Sequence, residues 1–225
     1  MLSTGDELQD PAGAAASAGQ FDGNRPTLCA ALGRSGYDAV DLGIVRDDDE
    51  ALLEALHGAA RAQLDVVLST GGVAQGDADI VRRFPALEYV PLALRPGRGV
   101  ACGRIELEGH ALWFIGMPGN AVAAYVIYQL VVAPLLARRA GARAESPVCL
   151  ELPLAGAART SAGRIDWRRG CFVARNGRAA VELLAQQGSS MLHTLSRADA
   201  LVGIGPRPEI PDGEPVPVIP LAALP

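Results

Sequence analysis

The sequence predicts an open, mostly parallel, doubly wound α/β sheet over residues 1–142, followed by a small all-β, barrel-like domain over residues 146–225. Three observations predict it. Up to about residue 140, apolar strand-like runs alternate with helix-period patterns, the signature of an α/β sheet covered by helices. Several of those runs end in loops rich in Gly and small polar residues, as at Ser69-Thr70-Gly71-Gly72. Beyond residue 146 the pattern changes to short Val/Leu/Ile runs separated by Gly, Pro and Asn turns, the spacing of a small barrel or sandwich.

The 225 residues suffice for one large domain or two modest ones, and a hydrophobic fraction of 49% is ample for a core. Aromatics are only 4%, so that core is built of Val, Leu, Ile and Ala. A formal charge of −5 gives no electrostatic footprint for nucleic acid. All basic residues are Arg. Cys29, Cys102, Cys149 and Cys171 lie far apart with no CxxC spacing, which suggests neither a zinc site nor a redox pair; reduced thiols in a cytoplasmic protein are expected. His57, His110 and His193 are equally scattered. The N-terminus shows no basic region followed by an apolar core, so no signal peptide is read there. The apolar stretch 121–137 carries Tyr125, Tyr128, Gln129 and Pro134 and reads as a buried helix, with no membrane partner expected.

Taken in order, Met1-Leu2 runs at once into the polar loop 3–8, so the first strand is read as shortened, in a fragment or a shortened gene product; an ordinary flexible terminus is the alternative. Residues 10–20 are small and Gly/Pro-rich, hence a surface loop. A helix follows over about 25–34, with Asn24 as N-cap and Pro26 in its first turn. Residues 39–45 are strand-like. The run Asp47-Asp48-Asp49-Glu50 opens the next helix, where negative charge suits the dipole, and Leu52, Leu53, Leu56, Ala59 and Ala60 form its apolar stripe. A buried strand at 64–68, a short helix at about 79–84, and strands at 89–94, 100–105 and 110–115 come next, the last two joined by a tight turn at Glu108-Gly109. The long helix 121–139 and a linker at 141–146 close this part. In the remainder, strands are expected at 147–154, 164–174, 179–185, 200–204 and 215–219, with a weak helical pattern near 189–195.

In open α/β sheets ligands bind outside the C-terminal ends of the strands. Four loops leave such ends: 3–8, 69–79, 95–99 and 117–120. Gly71 and Gly72 allow close backbone approach and expose N–H groups in an anion cradle. Asp6, Glu7, Asp77 and Asp79 could hold Mg²⁺ by oxygen ligation. Arg95 and Arg98 present guanidinium forks suited to phosphate or another tetrahedral oxyanion. Gly119 and Asn120 offer backbone N–H groups at the start of the long helix. The plain alternative for each is a capping carboxylate, a decorated turn or a solvated loop charge.

These pieces stand in a specific order: Ser3-Thr4-Gly5-Asp6-Glu7-Leu8, Asp22-x-Asn24, Leu42-Gly43-Ile44-Val45-Arg46-Asp47-Asp48, Thr70-Gly71-Gly72-Val73 to Asp79, Arg95-Pro96-Gly97-Arg98 and Pro118-Gly119-Asn120. The set closely resembles the molybdopterin molybdenumtransferase family, that is MoeA and the gephyrin E domain. Gly163-Arg164, Arg169-Gly170, Gln187-Gly188-Ser189 and Ala198-Asp199-Ala200 resemble that family's C-terminal β domain. The resemblance implies a MogA-like molybdopterin-binding fold, and insertion of molybdenum from molybdate into adenylylated molybdopterin with release of AMP. It implies Mg²⁺ as cofactor, a homodimer, a MogA-type adenylyltransferase and molybdoenzyme maturation partners.

Carried onto this sequence, the resemblance makes Asp79 and Glu7 catalytic, with Asp79, Asp77 and Glu7 at the metal. The pterin phosphate and molybdate fall to Ser3, Thr4, Gly5, Asp6, Ser69, Thr70, Gly71, Gly72, Arg95, Pro96, Gly97, Arg98, Pro118, Gly119 and Asn120. Arg95 and Arg98 stand where the family has lysines, and Ala74 and Ala123 where it has serines. Each absent hydroxyl removes a hydrogen bond worth about 1.5–3 kcal/mol to a charged ligand. The family's two further N-terminal domains do not precede Ser3. Two other readings therefore stand beside the transferase: a non-catalytic molybdopterin-binding or scaffold homologue, and a nucleotide pyrophosphatase sharing the α/β domain.

Overall fold

The computed structural model describes residues 1–13, 19–71, 84–143, 147–160 and 163–221. The chain divides into two compact units, Met1–Leu92 with Arg98–Tyr125, and Ala93–Gly97 with Val126–Pro225. In chain order the first described elements are β1 (Leu2–Thr4), β2 (Leu8–Gln9), β3 (Gln20–Phe21), α1 (Asn24–Arg34), β4 (Ile44–Val45), α2 (Asp49–Arg61) and β5 (Val66–Thr70). Then come β6 (Leu87–Pro91), β7 (Leu94–Arg95), β8 (Gly99–Leu107), β9 (His110–Met117), α3 (Ala121–Ile127) and α4 (Ala133–Arg139). The last are β10 (Leu150–Ala155), β11 (Ala158–Arg159), β12 (Ile165–Arg175), β13 (Arg178–Leu183), β14 (Ala200–Ile204), β15 (Glu209–Ile210) and β16 (Pro215–Pro220).

The first unit is built on a sheet of order β4-β1-β5-β9-β8-β6. The pairings from β4 to β9 are parallel, and the two at the far edge are antiparallel, so the sheet is mixed with a parallel core. Short as it is, β1 pairs on both sides, with Ser3 opposite both Ile44 and Thr70. Leu2, Val67, Leu112 and Phe114 from the strands and Leu56, Ala59 and Ala60 from α2 form one buried cluster. The apolar stripe read for 52–60 is thus the sheet-facing side of α2. Asp48 sits in extended backbone and accepts from the Ala51 N–H at 2.8 Å, so the acidic run 47–50 does start a helix.

Three local expectations are corrected. Asn24 is the first residue of α1, not its cap; Asp22 instead accepts from the N–H groups of Asn24 and Arg25, both at 3.1 Å. The strand read over 39–45 shrinks to Ile44–Val45, because Asp41 accepts from the Gly43 N–H in a local turn and Gly43 has φ +79°. The strand read over 89–94 is two pieces. β6 pairs with β8 and ends at Pro91, while β7 pairs with Ile165 and Asp166 of β12 in the second unit. The hairpin between β8 and β9 turns where expected, with Glu108 and Gly109 at φ 53° and 70° and Leu107 opposite His110.

By length and composition alone, the stretch Ala121–Arg139 is apolar enough to cross a membrane. It is interrupted by a π-turn at Tyr128–Val132. Pro134 follows directly; it lacks an N–H, and its ring crowds the carbonyl four residues back, which a wider turn relieves. Val122, Val126, Ile127, Tyr128 and Val132 are buried, as expected of a core helix.

In the second unit, β13, β10, β16, β14 and β12 follow one another around a closed barrel, shut by the β12–β13 pairing, with β7 added on β12. Leu154, Val181, Val202, Ile204, Val216 and Val218 fill it. The short pair β11–β15 lies outside the expected strands. Arg175 grips Asp212 through both guanidinium nitrogens at 2.5 and 2.6 Å, and the Gly156 N–H adds a third donor at 2.7 Å. The Arg175 hydrogen bond and then the Gly156 N–H depress the Asp212 carboxyl to about 2. A depressed carboxyl contributes stability above its unfolded pKa and loses it as pH falls through the folded value. We expect a carboxyl-carbon NMR titration to give Asp212 a midpoint near that value, and Arg175→Gln to move it up toward the ordinary aspartate value. An unmoved midpoint would exclude Arg175 as the cause.

Candidate functional site

The candidate site of the first unit is the rim where β1, β5 and β9 end. The parallel register brings Ser3 and Thr70 side by side and sets Thr70 opposite Met117. Each strand then passes into one of the predicted loops, at Gly5, Gly71 and Pro118. Gly71 has φ +94°, and a Cβ there would stand 2.3 Å from the Thr4 carbonyl oxygen and 2.7 Å from Thr4 Oγ1. A Cβ on Gly119 would lie 3.4 Å from the Gly71 Cα. The three loop stems therefore pack backbone against backbone, and the Gly5 and Gly71 N–H groups hold them there by donating to the Val45 and Met117 carbonyls at 3.4 and 3.2 Å. Asn24 Nδ2 donates to the Gly119 carbonyl at 2.7 Å and ties α1 to the same place. Asn120 Oδ1 accepts from the Ala123 N–H at 3.4 Å at the start of α3.

The hydroxyls do not all present themselves. Ser3, Ser69 and Thr70 are buried, so their side chains support the rim from beneath instead of lining its surface. Thr4 Oγ1 is buried without a hydrogen-bond partner. Ser3 Oγ donates to Asp22 Oδ1 at 3.1 Å and lies 3.0 Å from Thr70 Oγ1. Asp22 also takes Arg25 Nε at 3.0 Å, and Arg25 reaches on to Asp10 at 2.6 Å and to Asp41. Burial works against the Arg25 charge, but the hydrogen bonds it donates to Asp41, Asp22 and Asp10 outweigh that and raise its pKa. The sequence reading missed Asp22 and Arg25 as a pair. The signal was there: an aspartate just ahead of a helix start, with an arginine three residues on.

Of the other predicted residues, Asp6 is exposed and accepts from the Asp47 N–H at 3.2 Å. Glu7 is exposed, and its carboxylate folds back over Gly5, with Oε2 2.7 Å from where a Gly5 Cβ would stand. Gly72, Ala74, Asp77 and Asp79 lie outside the described residues. Among the described residues no group of three His, Cys, Asp or Glu could hold a metal ion. Arg98 belongs to the first unit, while Arg95, Pro96 and Gly97 belong to the second, where Arg95 stands opposite Asp166 in the β7–β12 backbone register.

Among the described residues of the second unit, Arg169 of β12 is a fully buried cation. Its Nε donates to Thr194 Oγ1 at 3.0 Å, and one terminal nitrogen to the carbonyls of Gly188 at 3.0 Å and Gln186 at 3.4 Å. Burial pushes the guanidinium below the usual arginine range, and Asp166 pulls it weakly the other way. Arg169 thereby clamps the Gln187-Gly188-Ser189 segment to the barrel.

An α/β sheet with a backbone-lined rim at its strand ends, followed in sequence by a closed β barrel, defines a ligand-binding α/β protein with an appended β domain. The chain belongs to the family described as "Probable molybdopterin binding domain", which matches residues 1–138, and continues into the MoeA C-terminal region (domain IV), matched at residues 151–221. It is 30% identical over 208 residues to the molybdopterin molybdenumtransferase of Haemophilus influenzae, covering 90% of this chain and 50% of that protein. It is 29% identical over 212 residues to molybdopterin molybdenumtransferase 1 of Mycobacterium tuberculosis, covering 90% of this chain and 49% of the relative. The solved molybdopterin biosynthesis MoeA protein of Pyrococcus horikoshii shares its fold, with TM-score 0.79 at 23% identity over 99% of this chain and 54% of that one. The chain thus spans about half the length of these relatives.

Proposed function

We propose that the first unit binds molybdopterin at the rim formed by Thr4, Gly5, Gly71, Pro118, Gly119 and Asn120, and that the whole enzyme inserts molybdenum from molybdate into adenylylated molybdopterin with release of AMP. The observation that carries this reading is the packing of Gly71 against both Thr4 and Gly119, which brings three strand-end loops to one backbone-lined place in a molybdopterin-binding family domain. Moving an adenylyl phosphate off a pterin phosphate requires charge neutralisation and alignment more than covalent help. The rigid strand ends supply the alignment.

No step is assigned to Mg²⁺. Of the carboxylates expected to hold it, Asp6 and Glu7 are described, and two exposed carboxylates do not make an oxygen cage. A second copy of the chain, a MogA-type adenylyltransferase that delivers the adenylylated pterin, an acceptor molybdoenzyme and a cytoplasmic setting belong to the same proposal.

The test is titration calorimetry of the chain with molybdopterin-AMP, with and without Mg²⁺, followed by an AMP assay after molybdate is added. Heat of binding together with AMP release supports the full reading. Binding without AMP release leaves the non-catalytic homologue, and no binding of any pterin phosphate overturns the reading. AMP formed from ADP-ribose alone would point to the pyrophosphatase.

A further inference from the structure

Asp22 makes more bonds than a helix start requires. It is 1% exposed, and its two oxygens take four donors: Ser3 Oγ, the Asn24 and Arg25 N–H groups, and Arg25 Nε. The carboxylate has no proton to give, so the Ser3 hydroxyl must spend its single proton on Asp22. Ser3 Oγ can then only accept at its other contact, and the 3.0 Å approach of Thr70 Oγ1 has to be Thr70 donating to Ser3. Both hydroxyl protons therefore point inward, toward Asp22 and away from the rim. The same carboxylate fixes the first turn of α1, from which Asn24 Nδ2 reaches the Gly119 carbonyl at 2.7 Å. One buried group is thus bonded to the end of β1, to β5 through Ser3, and to the 118–120 loop through Asn24.

We propose that Asp22 is the positioning residue of the rim: it commits the Ser3 and Thr70 protons inward and holds the ends of β1 and β5 and the Gly119 loop in one arrangement, so that an anionic ligand meets no Ser3 or Thr70 proton. This rests on the molybdopterin-binding reading above. Arg25, with Asp10 and Asp41 behind it, holds Asp22 in place by charge and turns its second oxygen away from Ser3.

The test uses the full chain, with molybdopterin as probe. Asp22→Asn keeps the shape but offers an amide able to donate where only an acceptor fits. It is expected to raise the Kd of the folded protein about tenfold or more. A merely structural Asp22 would lower the melting temperature and leave the Kd of the folded protein unmoved, which overturns the proposal. Neutron diffraction of the deuterium-exchanged wild type reads the hydroxyl directions without any variant. Deuterons lying along Thr70→Ser3→Asp22 support the proposal, and a Ser3 deuteron directed at Thr70 overturns it. If the wild type binds no molybdopterin the functional reading falls, while the neutron map still decides the hydroxyl chain.

Discussion

Arg169→Ala is expected to destabilise the barrel by about 3–5 kcal/mol, and Arg169→Met by clearly less. Two effects oppose each other at this site. Burying a guanidinium costs several kcal/mol of lost hydration. Its return is charge-assisted donation to Thr194 Oγ1 and to the Gly188 and Gln186 carbonyls. Alanine forfeits those bonds and leaves a cavity among residues that cannot close over it, whereas methionine fills most of the space and escapes the hydration cost. The Gln187 side-chain amide accepts from the Arg169 N–H at 3.0 Å and donates to the Arg169 carbonyl at 2.8 Å; both bonds survive either change, so the 186–189 segment loosens without being released entirely. Trp167 is two residues away in the same strand and 9% exposed, so its emission reports on the barrel once Trp113 has been replaced by Phe. Denaturant melts followed at Trp167 give the ranking. A methionine variant as stable as wild type would mean that the hydrogen bonds never exceeded the cost of burial.

Arg169 also shows where a sequence stops being legible. The strand over 164–174 was readable because Val, Ile and aromatic residues are bounded by Gly and Asn turns, and β12 runs Ile165–Arg175. The strands expected at 179–185, 200–204 and 215–219 are likewise found, since barrel strands with short turns carry their own punctuation. The inward register of Arg169 was visible in principle, two residues from Trp167 on the same face, but its acceptors come from a segment seventeen or more residues later. The piece over 87–95 failed for a related reason. Its periodicity is continuous, but Pro91 ends one pairing and the partner of Leu94 is Ile165, which no local pattern announces. The bond of Asp22 to Ser3 spans nineteen residues and the Ser3–Thr70 contact spans sixty-seven, so no local pattern announces either. Loops at strand ends, by contrast, were legible from composition: Gly71 and Gly119 were placed at the rim by spacing alone, and they meet there.

Gly71→Ala is expected to cost about 2–4 kcal/mol and to abolish pterin binding, where Gly119→Ala costs no more than about 1 kcal/mol. At Gly71 two penalties coincide. The backbone sits at φ +94°, a conformation that a side chain makes unfavourable by about 1–3 kcal/mol. The new methyl would also stand 2.3 Å from the Thr4 carbonyl oxygen, inside any contact distance, and 3.2 Å from the Thr4 carbonyl carbon. Thr4 cannot step back, because β1 is held on both sides by β4 and β5 through Ser3, Thr4 and Thr70. Relief has to come from breaking the β1–β5 pairing or from pushing the Gly71 loop outward, and either one moves the rim. At Gly119 the methyl would meet Gly71 Cα at 3.4 Å and its N at 3.7 Å, ordinary contacts, with no positive φ recorded for that glycine. The pair therefore separates backbone strain from simple crowding at one place. Urea melts followed at Trp113, with Trp167 replaced by Phe, measure the first effect, and calorimetry with molybdopterin-AMP measures the second. Equal stability of the two alanine variants would contradict the strained conformation at Gly71. Undiminished pterin binding by a folded Gly71→Ala protein would place the ligand away from this rim.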